Sequence, residues 1–228
     1  YANHLTARSH EVFVVHPRFM RNLPKIRFQW LKQIIKCFIK PKKRKWQVID
    51  ERVRMLYINE PVAKSIPDAD VVFATAWGTA EYTGEYPLSK GRKFYLIQHY
   101  ETWSGPRERV DASWRGPFKK IVIAKWLYKK GIELGVSESD MIYIPNGIDH
   151  GIFRLIKPIE KRPKRIAMMY HDADWKGSRD GIDALKIVRE RNKGFSAIIF
   201  GRHKRPSIIP NWIEYEHYPS TAELVGIY

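Results

Sequence analysis

The clearest indication of fold in this 228-residue chain is the segment Lys93-Phe94-Tyr95-Leu96-Ile97, a short apolar run rich in aromatic and branched residues. Runs of this length are typical of strands buried on both faces of a parallel sheet. Seven further runs of this kind lie at residues 11–15, 54–58, 70–75, 120–123, 141–144, 165–169 and 196–200. Helical stretches such as residues 124–134 and 178–191 lie between them. The alternation predicts an α/β fold with doubly wound parallel sheets.

A domain boundary is indicated by the charged, proline-bearing stretch at residues 157–164, after which a new series of strands begins. We expect an N-terminal Rossmann-like domain at residues 1–156 and the start of a second one at residues 157–228. No strand precedes the helical residues 2–9, and the second domain is short for a doubly wound unit. The sequence therefore indicates a fragment of a longer two-domain protein.

The positive charge of the chain is concentrated near its start. The chain has 41 Lys and Arg against 24 Asp and Glu, a formal net charge of +17, which excludes an acidic binding protein. Residues 1–45 hold 12 of these basic residues and one acid, Glu11. Within them, residues 27–45 combine the charge with a helical spacing of apolar side chains. These apolar residues are Trp30, Leu31, Ile34, Ile35, Phe38 and Ile39.

Three interpretations of residues 27–45 stay open. The segment is an ordinary helix packed on its domain, a helix that lies in a membrane interface against anionic lipid, or a basic surface for phosphodiester backbones. We expect no nucleic-acid partner, because no zinc-finger spacing or RNP-like aromatic motif accompanies the charge. No apolar run approaches the roughly 18 to 20 residues needed to span a bilayer. The single cysteine, Cys37, fits a reducing compartment.

A first motif that could carry chemistry is Pro145-Asn146-Gly147-Ile148-Asp149, followed by Phe153. It comes directly after the strand predicted at residues 141–144. Asn and Gly accept positive φ, so the motif predicts a tight turn.

A second motif runs from the strand at residues 165–169 through a loop into the helix predicted to begin near Ser178. The loop ends in Lys176-Gly177. A lysine beside the unpaired N–H groups of a helix N-terminus forms an anion site that suits a diphosphate. A solvated lysine beside a helix-starting glycine is the alternative.

A third motif, Gln98-His99-Tyr100-Glu101, follows the strand at residues 93–97. Binding groups of an α/β sheet lie beyond the carboxyl ends of its strands. A histidine there can bond a sugar hydroxyl or transfer a proton near neutral pH, and a purely structural histidine is the alternative.

In this order and spacing, the three motifs make the chain similar to the retaining, nucleotide-sugar-dependent glycosyltransferases of the GT-B fold, a family often called group 1 or family four. Residues 2–12 resemble the first helix of the family and the Gly-His-Glu-Val sequence after it, with Ser9 where glycine is usual. Residues 123–127 resemble its Ser-x-Trp/Phe-Leu helix start. Residues 74–80 and 95–101 further resemble a subgroup that transfers rhamnosyl and related sugars.

The resemblance implies roles in binding the donor diphosphate. Lys176, with Gly177 after it, matches the family lysine that contacts the diphosphate. The family usually has arginine five residues earlier, where this chain has His171. A neutral imidazole contributes less to phosphate binding than a fixed guanidinium. Arg202 resembles a residue of the next strand-end loop near the nucleotide.

The resemblance also implies a site on the first domain. His99 aligns with the histidine that contacts the transferring sugar, and Glu101 lies beside it, so both are candidate catalytic residues. Asn146, Gly147 and Asp149 match the structural turn before the second domain.

The implied activity is the transfer of a sugar from a nucleotide-diphosphate donor to a glycan or lipid-linked acceptor, with retention of configuration, in polysaccharide or cell-surface glycan synthesis. The resemblance implies that residues 1–156 form the acceptor-side domain and that residues 157–228 begin the domain that binds the nucleotide sugar. The donor would lie between the two domains, and no metal or other cofactor is expected. We expect a cytoplasmic location, with or without attachment to the inner face of the membrane through residues 27–45. The alternative is a non-catalytic fragment that binds a membrane surface or an anionic polymer.

Overall fold

The structure is a computed structural model that describes residues 1–18, residue 20 and residues 48–228. The predicted amphipathic segment at residues 27–45 lies outside the described residues, so its three interpretations stay predictions.

The chain divides into two compact units, Tyr1–Asn146 (unit 1) and Gly147–Tyr228 (unit 2). The functional roles expected for residues 1–156 and 157–228 stay predictions. The division lies within the Pro145-Asn146-Gly147 motif, where strand pairing of the first unit has ended.

Among its described residues, unit 1 has two sheets of parallel strands. The smaller sheet pairs β1 (Phe13–Pro17) with β2 (Arg54–Ile58). The larger sheet has four strands that neighbour one another in chain order. They are β3 (Val71–Ala74), β4 (Arg92–Ile97), β5 (Lys119–Val122) and β6 (Met141–Tyr143). All six were predicted, and the α/β fold class with parallel, Rossmann-like sheets is confirmed.

Four α-helices accompany these strands in the described part of unit 1. They are α1 (Ala2–Ala7), α2 (Trp77–Gly84), α3 (Arg107–Arg115) and α4 (Lys125–Glu133). Ser9, which comes shortly after α1, has a φ of 66°, in the left-handed region that glycine adopts without a steric penalty. A serine therefore holds a backbone conformation here that glycine would adopt more easily.

The main core of unit 1 lies between the four-stranded sheet and helices α2, α3 and α4. Tyr95 and Ile97 of β4 are buried in it, and Trp114 of α3 and Leu127 of α4 are fully buried there. Because the strands follow one another in one direction, right-handed crossovers place all three helices on the same face. On β3, Phe73 is exposed. The prediction that the strands are buried on both faces is therefore wrong for β3.

Unit 2 contains one parallel sheet in the order β7 (Arg165–Met169), β8 (Ser196–Gly201) and β9 (Glu214–His217). Between β7 and β8 the chain forms α5 (Ser178–Arg191), and α6 (Thr221–Ile227) follows β9. The side chain of Ser220 caps α6 by accepting a hydrogen bond from the N–H of Glu223. A core on the α5 side joins the helix to the sheet. It comprises Ile182, Leu185, Ala197, Ile199, Ile209 and Ile213.

Replacing Leu127 with alanine tests the core of unit 1. Leu127 is 0% exposed, so the substitution should lower the free energy of unfolding by about 2 to 5 kcal/mol through lost burial and a residual cavity. Ile132 lies on the same helix and is 41% exposed, and its replacement by alanine should change stability much less. Urea unfolding followed by circular dichroism measures both. Equal losses would contradict the assignment of this helix face to the core.

Candidate functional site

The loop after β4 presents two polar side chains at the carboxyl edge of the four-stranded sheet. Gln98 and His99 follow Ile97 directly, and both are exposed. The imidazole of His99 contacts two indoles at steep angles. Its ring centroid lies 4.4 Å from that of Trp103 and 5.1 Å from that of Trp126. The structure therefore places His99 at a strand end, as predicted. It also brings Trp103 and Trp126 to this histidine, which no local sequence pattern indicates.

Glu101 connects this loop to helix α2. Its Oε2 accepts a hydrogen bond from the backbone N–H of Trp77, the first residue of the helix, at 2.9 Å. The Nε1 of Trp77 donates to Ser104 Oγ at 2.8 Å, and that hydroxyl donates to the carbonyl oxygen of Glu101. A carboxylate is favoured at a helix N-terminus by the helix dipole. Glu101 thus has a structural contact, and its catalytic role stays a prediction.

Changing Glu101 separates its helix contact from a catalytic role. Glu101→Ala should lower the free energy of unfolding by about 1 kcal/mol because an N–H of the first turn of α2 loses its acceptor. Glu101→Gln keeps an acceptor oxygen and should retain more of the stability. The matched control is Glu108→Ala in the first turn of α3, which should stay within about 0.5 kcal/mol of the parent. Thermal and urea unfolding measure these changes. If Glu101→Gln turns over substrate at the full rate, the catalytic role is wrong.

In unit 2, the loop between β7 and α5 is closed by a buried serine. The Oγ of Ser178 accepts from the backbone N–H of His171 at 2.8 Å and donates to the carbonyl oxygen of the same residue at 2.9 Å. Ser178 is the first residue of α5, so this pair of bonds fixes the end of β7 against the helix N-terminus. No local sequence pattern indicates this role for Ser178.

The loop after β7 also uses one ring nitrogen of His171. Its Nδ1 accepts a hydrogen bond from the backbone N–H of Ala173 at 3.0 Å. Nε2 is therefore the ring nitrogen left to donate to a ligand. An arginine in this place would bring a fixed charge and several donors.

Lys176 and Gly177 lie immediately before α5, as predicted. The lysine is exposed, and its Nζ lies 4.1 Å from the ring centroid of Trp175. Gly177 has a φ of 68°, in the left-handed region, and it precedes a helix of 14 residues. The first N–H groups of a helix have no acceptor within the helix itself, so they are suited to bind an anion. The lysine charge and these N–H groups therefore lie at the same end of one element.

The loop after β8 adds a second group of polar side chains at the carboxyl edge of the unit 2 sheet. Arg202 follows Gly201 directly, is exposed and lies 6.0 Å from the ring centroid of Tyr218. His203 Nε2 lies 3.1 Å from a carboxylate oxygen of Asp172, which belongs to the loop after β7. This contact joins the loops that carry Lys176 and Arg202. Sequence reasoning missed it, because the two residues belong to different strand-end loops that are distant in the chain.

Tyr215 supports the same edge from β9. Its hydroxyl donates to the carbonyl oxygen of His203 at 2.6 Å. Burial raises the pKa of this hydroxyl above its ordinary value, and the negative charge of Asp172 raises it further. The hydroxyl therefore stays protonated and keeps its bond to the His203 loop at neutral pH.

The predicted turn at Pro145-Asn146-Gly147 takes a different form. Neither Asn146 nor Gly147 has positive φ, and the turn lies further on, at residues 150–152. The reason is Asp149, whose Oδ1 accepts from the N–H of Gly151 at 2.9 Å and so bends the chain there. Asn146 instead accepts a hydrogen bond from the hydroxyl of Tyr1. The prediction of a tight turn at Asn146 and Gly147 is wrong.

Comparisons with known proteins do not assign the chain to a family. No family model matches the chain, and no curated protein sequence matches it. Among solved structures, a similar one is that of a protein described as a putative UDP-N-acetylglucosamine 2-epimerase from Listeria monocytogenes. The two chains are 11% identical, with a TM-score of 0.42 over 68% of this chain and 48% of the other. The chain therefore spans about half the length of that protein.

Proposed function

We propose that the chain is part of a glycosyltransferase that moves a sugar from a nucleotide-diphosphate donor to a glycan or lipid-linked acceptor, with retention of configuration. One observation carries the proposal. At the carboxyl edge of the unit 2 sheet, Lys176 and the N-terminus of α5 follow β7, and Arg202 follows the neighbouring strand β8, so positive charge and N–H donors lie beyond two adjacent strand ends. The sequence resemblance independently assigns Lys176 to a donor diphosphate.

Binding of the diphosphate would rest on three kinds of group. Lys176 supplies a positive charge on a flexible side chain. Arg202 supplies a planar guanidinium that can bond two oxygens at once, and the N-terminus of α5 supplies N–H donors and the positive end of the helix dipole. His171 can add one donor through Nε2, because its Nδ1 is taken by the N–H of Ala173. Asp172 lies in the same region, where a carboxylate oxygen contacts His203 Nε2 at 3.1 Å.

Catalysis would rest on stabilising the negative charge that develops on the leaving diphosphate. Lys176 and the helix N-terminus are suited to that role because both bind anions without taking up a proton. In unit 1, His99 would orient the sugar, since its ring is held by contacts with Trp103 and Trp126. The proposal requires no metal or other cofactor.

The wider setting of the activity is also part of the proposal. We place it in the synthesis of polysaccharide or cell-surface glycan, because residues 74–80 and 95–101 resemble proteins of that kind. Within the described residues, no helix is long and apolar enough to cross a membrane. The segment that would contact an anionic membrane, residues 27–45, lies outside the described residues, so this contact stays a proposal.

Removing the lysine charge tests the diphosphate site. Lys176→Ala should weaken the binding of a nucleoside diphosphate roughly tenfold to a hundredfold, the usual worth of a hydrogen bond to a charged group. Lys186 lies on α5, where it pairs with Asp183 at the surface, so Lys186→Ala is a matched control and should leave affinity unchanged. Isothermal titration calorimetry with UDP, GDP, ADP and dTDP measures each. Equal affinity for the parent and Lys176→Ala would remove the role assigned to this lysine.

Changing the histidine tests the site on unit 1. His99→Ala should abolish most sugar transfer while nucleotide binding is retained, because the proposal places the diphosphate contacts on unit 2. His99→Gln keeps a donor and acceptor and should recover part of the activity. Transfer is measured in the full-length enzyme by release of nucleoside diphosphate, and binding is measured by calorimetry. Full turnover by His99→Ala would contradict the assignment.

A further inference from the structure

An open cavity lies at the amino edge of the four-stranded sheet, at the end opposite to His99. Its volume is about 740 Å³, within the usual range of ligand pockets. Strand β4 has six residues, so roughly 16 Å of strand separates this cavity from the loop that carries His99. We call it the amino-edge cavity, and it is lined by residues 91–94, 115–120 and 135–137 with Leu88 and Asp140.

The lining of the amino-edge cavity is strongly basic. It carries five basic side chains and one acidic one, a formal charge of +4. The acid, Asp140, is already paired, because its Oδ1 lies 2.7 Å from Lys119 Nζ. The cavity therefore offers positive charge that its own acid does not balance. The basic residues are Arg92, Lys93, Arg115, Lys119 and Lys120.

Lys120 is the unusual residue of this lining, because it is a buried cation. It is 3% exposed, and its Nζ donates to the carbonyl oxygens of Gly116 at 2.9 Å and Phe118 at 3.0 Å. An ammonium group has three donors, so one remains. Within the described part of the chain, no carboxylate forms an ion pair with it. A lysine is almost never fully buried unless its charge is paired.

The electrostatics of Lys120 agree with a missing partner. Burial lowers the pKa of its ammonium group from the ordinary value, and the negative charge of Asp140 offsets this effect only in part. The charged form therefore gains from any further anion nearby. An anion bound in the amino-edge cavity would supply it.

Two arginines from separate elements add guanidinium groups to the same cavity. Arg92 is the first residue of β4, and Arg115 is the last residue of α3. Both are exposed, and among the described residues neither pairs with a carboxylate. The other arginines of α3, Arg107 and Arg109, both have a carboxylate partner. A guanidinium can bond two oxygens of one phosphate at once, so the unpaired pair is suited to that group.

We propose that the amino-edge cavity binds the phosphate monoester group of a compound other than the sugar donor. Lys120 would give its remaining N–H to one phosphate oxygen, and Arg92 and Arg115 would bond the others. A doubly charged phosphate suits a lining of charge +4 better than a carboxylate does. The cavity is much larger than one phosphate group, so it has room for the rest of the molecule. This inference goes beyond the proposed function, which places its groups at the carboxyl edges of the sheets.

Calorimetry with inorganic phosphate and glycerol 3-phosphate tests the site on the full-length protein. Arg115→Gln should weaken binding of both probes roughly tenfold to hundredfold, because a charge-assisted hydrogen bond is lost. Arg107→Gln removes an equal charge at the other end of the same helix and should leave the affinity unchanged. If Arg115→Gln and Arg107→Gln bind the probes equally well, the proposal is overturned.

Two further variants change the charge of the lining in opposite directions. Lys120→Met removes the buried charge but keeps a long side chain, and it should weaken phosphate binding by a similar factor to Arg115→Gln. Asp140→Asn removes the one acid of the lining and should strengthen binding about threefold. Circular dichroism checks the fold, and Asp140→Asn keeps the test valid if Lys120→Met does not fold. Weaker binding by Asp140→Asn would contradict the proposal.

The variant Lys176→Ala separates this cavity from the diphosphate site proposed on unit 2, which also suits the two probes. Phosphate binding that depends on Arg115 should be retained in Lys176→Ala. Loss of binding in Lys176→Ala, with no change in Arg115→Gln, would assign the phosphate to unit 2 and overturn the cavity proposal.

A vesicle assay identifies the source of the phosphate, because soluble monoesters and the lipid phosphatidic acid carry the same group. Phosphatidylcholine vesicles with and without phosphatidic acid are sedimented with the parent, Arg115→Gln and Arg107→Gln. Binding of glycerol 3-phosphate that depends on Arg115 supports a soluble ligand. Vesicle binding that depends on Arg115 and on phosphatidic acid, without binding of the soluble probe, supports a lipid headgroup. If neither assay shows a dependence on Arg115, the proposal is overturned.

Discussion

The parallel pairing of β4 with β5 is the contact on which the organisation of unit 1 depends. It sets Ile97 beside Val122, so the two strands end at the same level. The chain then leaves β4 through His99 and leaves β5 into the helix that carries Trp126. A shift of this register by one residue would turn the buried residues Tyr95 and Ile97 to the opposite face. The helices packed on one face of the sheet therefore fix the strand register, and the strand register fixes where His99 and Trp126 lie at its carboxyl edge.

The same arrangement recurs in unit 2. There β7 pairs with β8, and the bond from the N–H of Tyr170 to the carbonyl oxygen of Phe200 continues the ladder to the point where both loops begin. Gly201 suits this point, because a Cβ there would lie 2.8 Å from the hydroxyl of Tyr215. In both units a rigid sheet ends in short loops that carry the polar side chains. The paired strands therefore fix where the polar side chains of these loops begin.

Several parts of the fold could be predicted because one local pattern decides them. Each long apolar run became a strand, and the helix at residues 178–191 has the predicted bounds. Strand β9 was missed because its sequence, Glu214-Tyr215-Glu216-His217, has alternating polar residues and no apolar run. Its pairing with β8 supplies the stability that its own composition lacks. The turn at Asn146 and Gly147 was wrongly predicted, because the side chain of Asp149 bends the chain later than the glycine suggests.

By itself, the sequence determined the α/β class, the order of the strands that it revealed, and the position of His99, Lys176 and Arg202 beyond strand ends. These are local properties, set by the spacing of apolar residues and by the residue types directly after each run. Only the tertiary structure showed that Glu101 caps helix α2, that His203 meets Asp172, and that Trp103 and Trp126 share one imidazole. Such contacts join residues from separate loops and helices. Strand register and helix packing bring these residues together, and no local sequence pattern encodes either one.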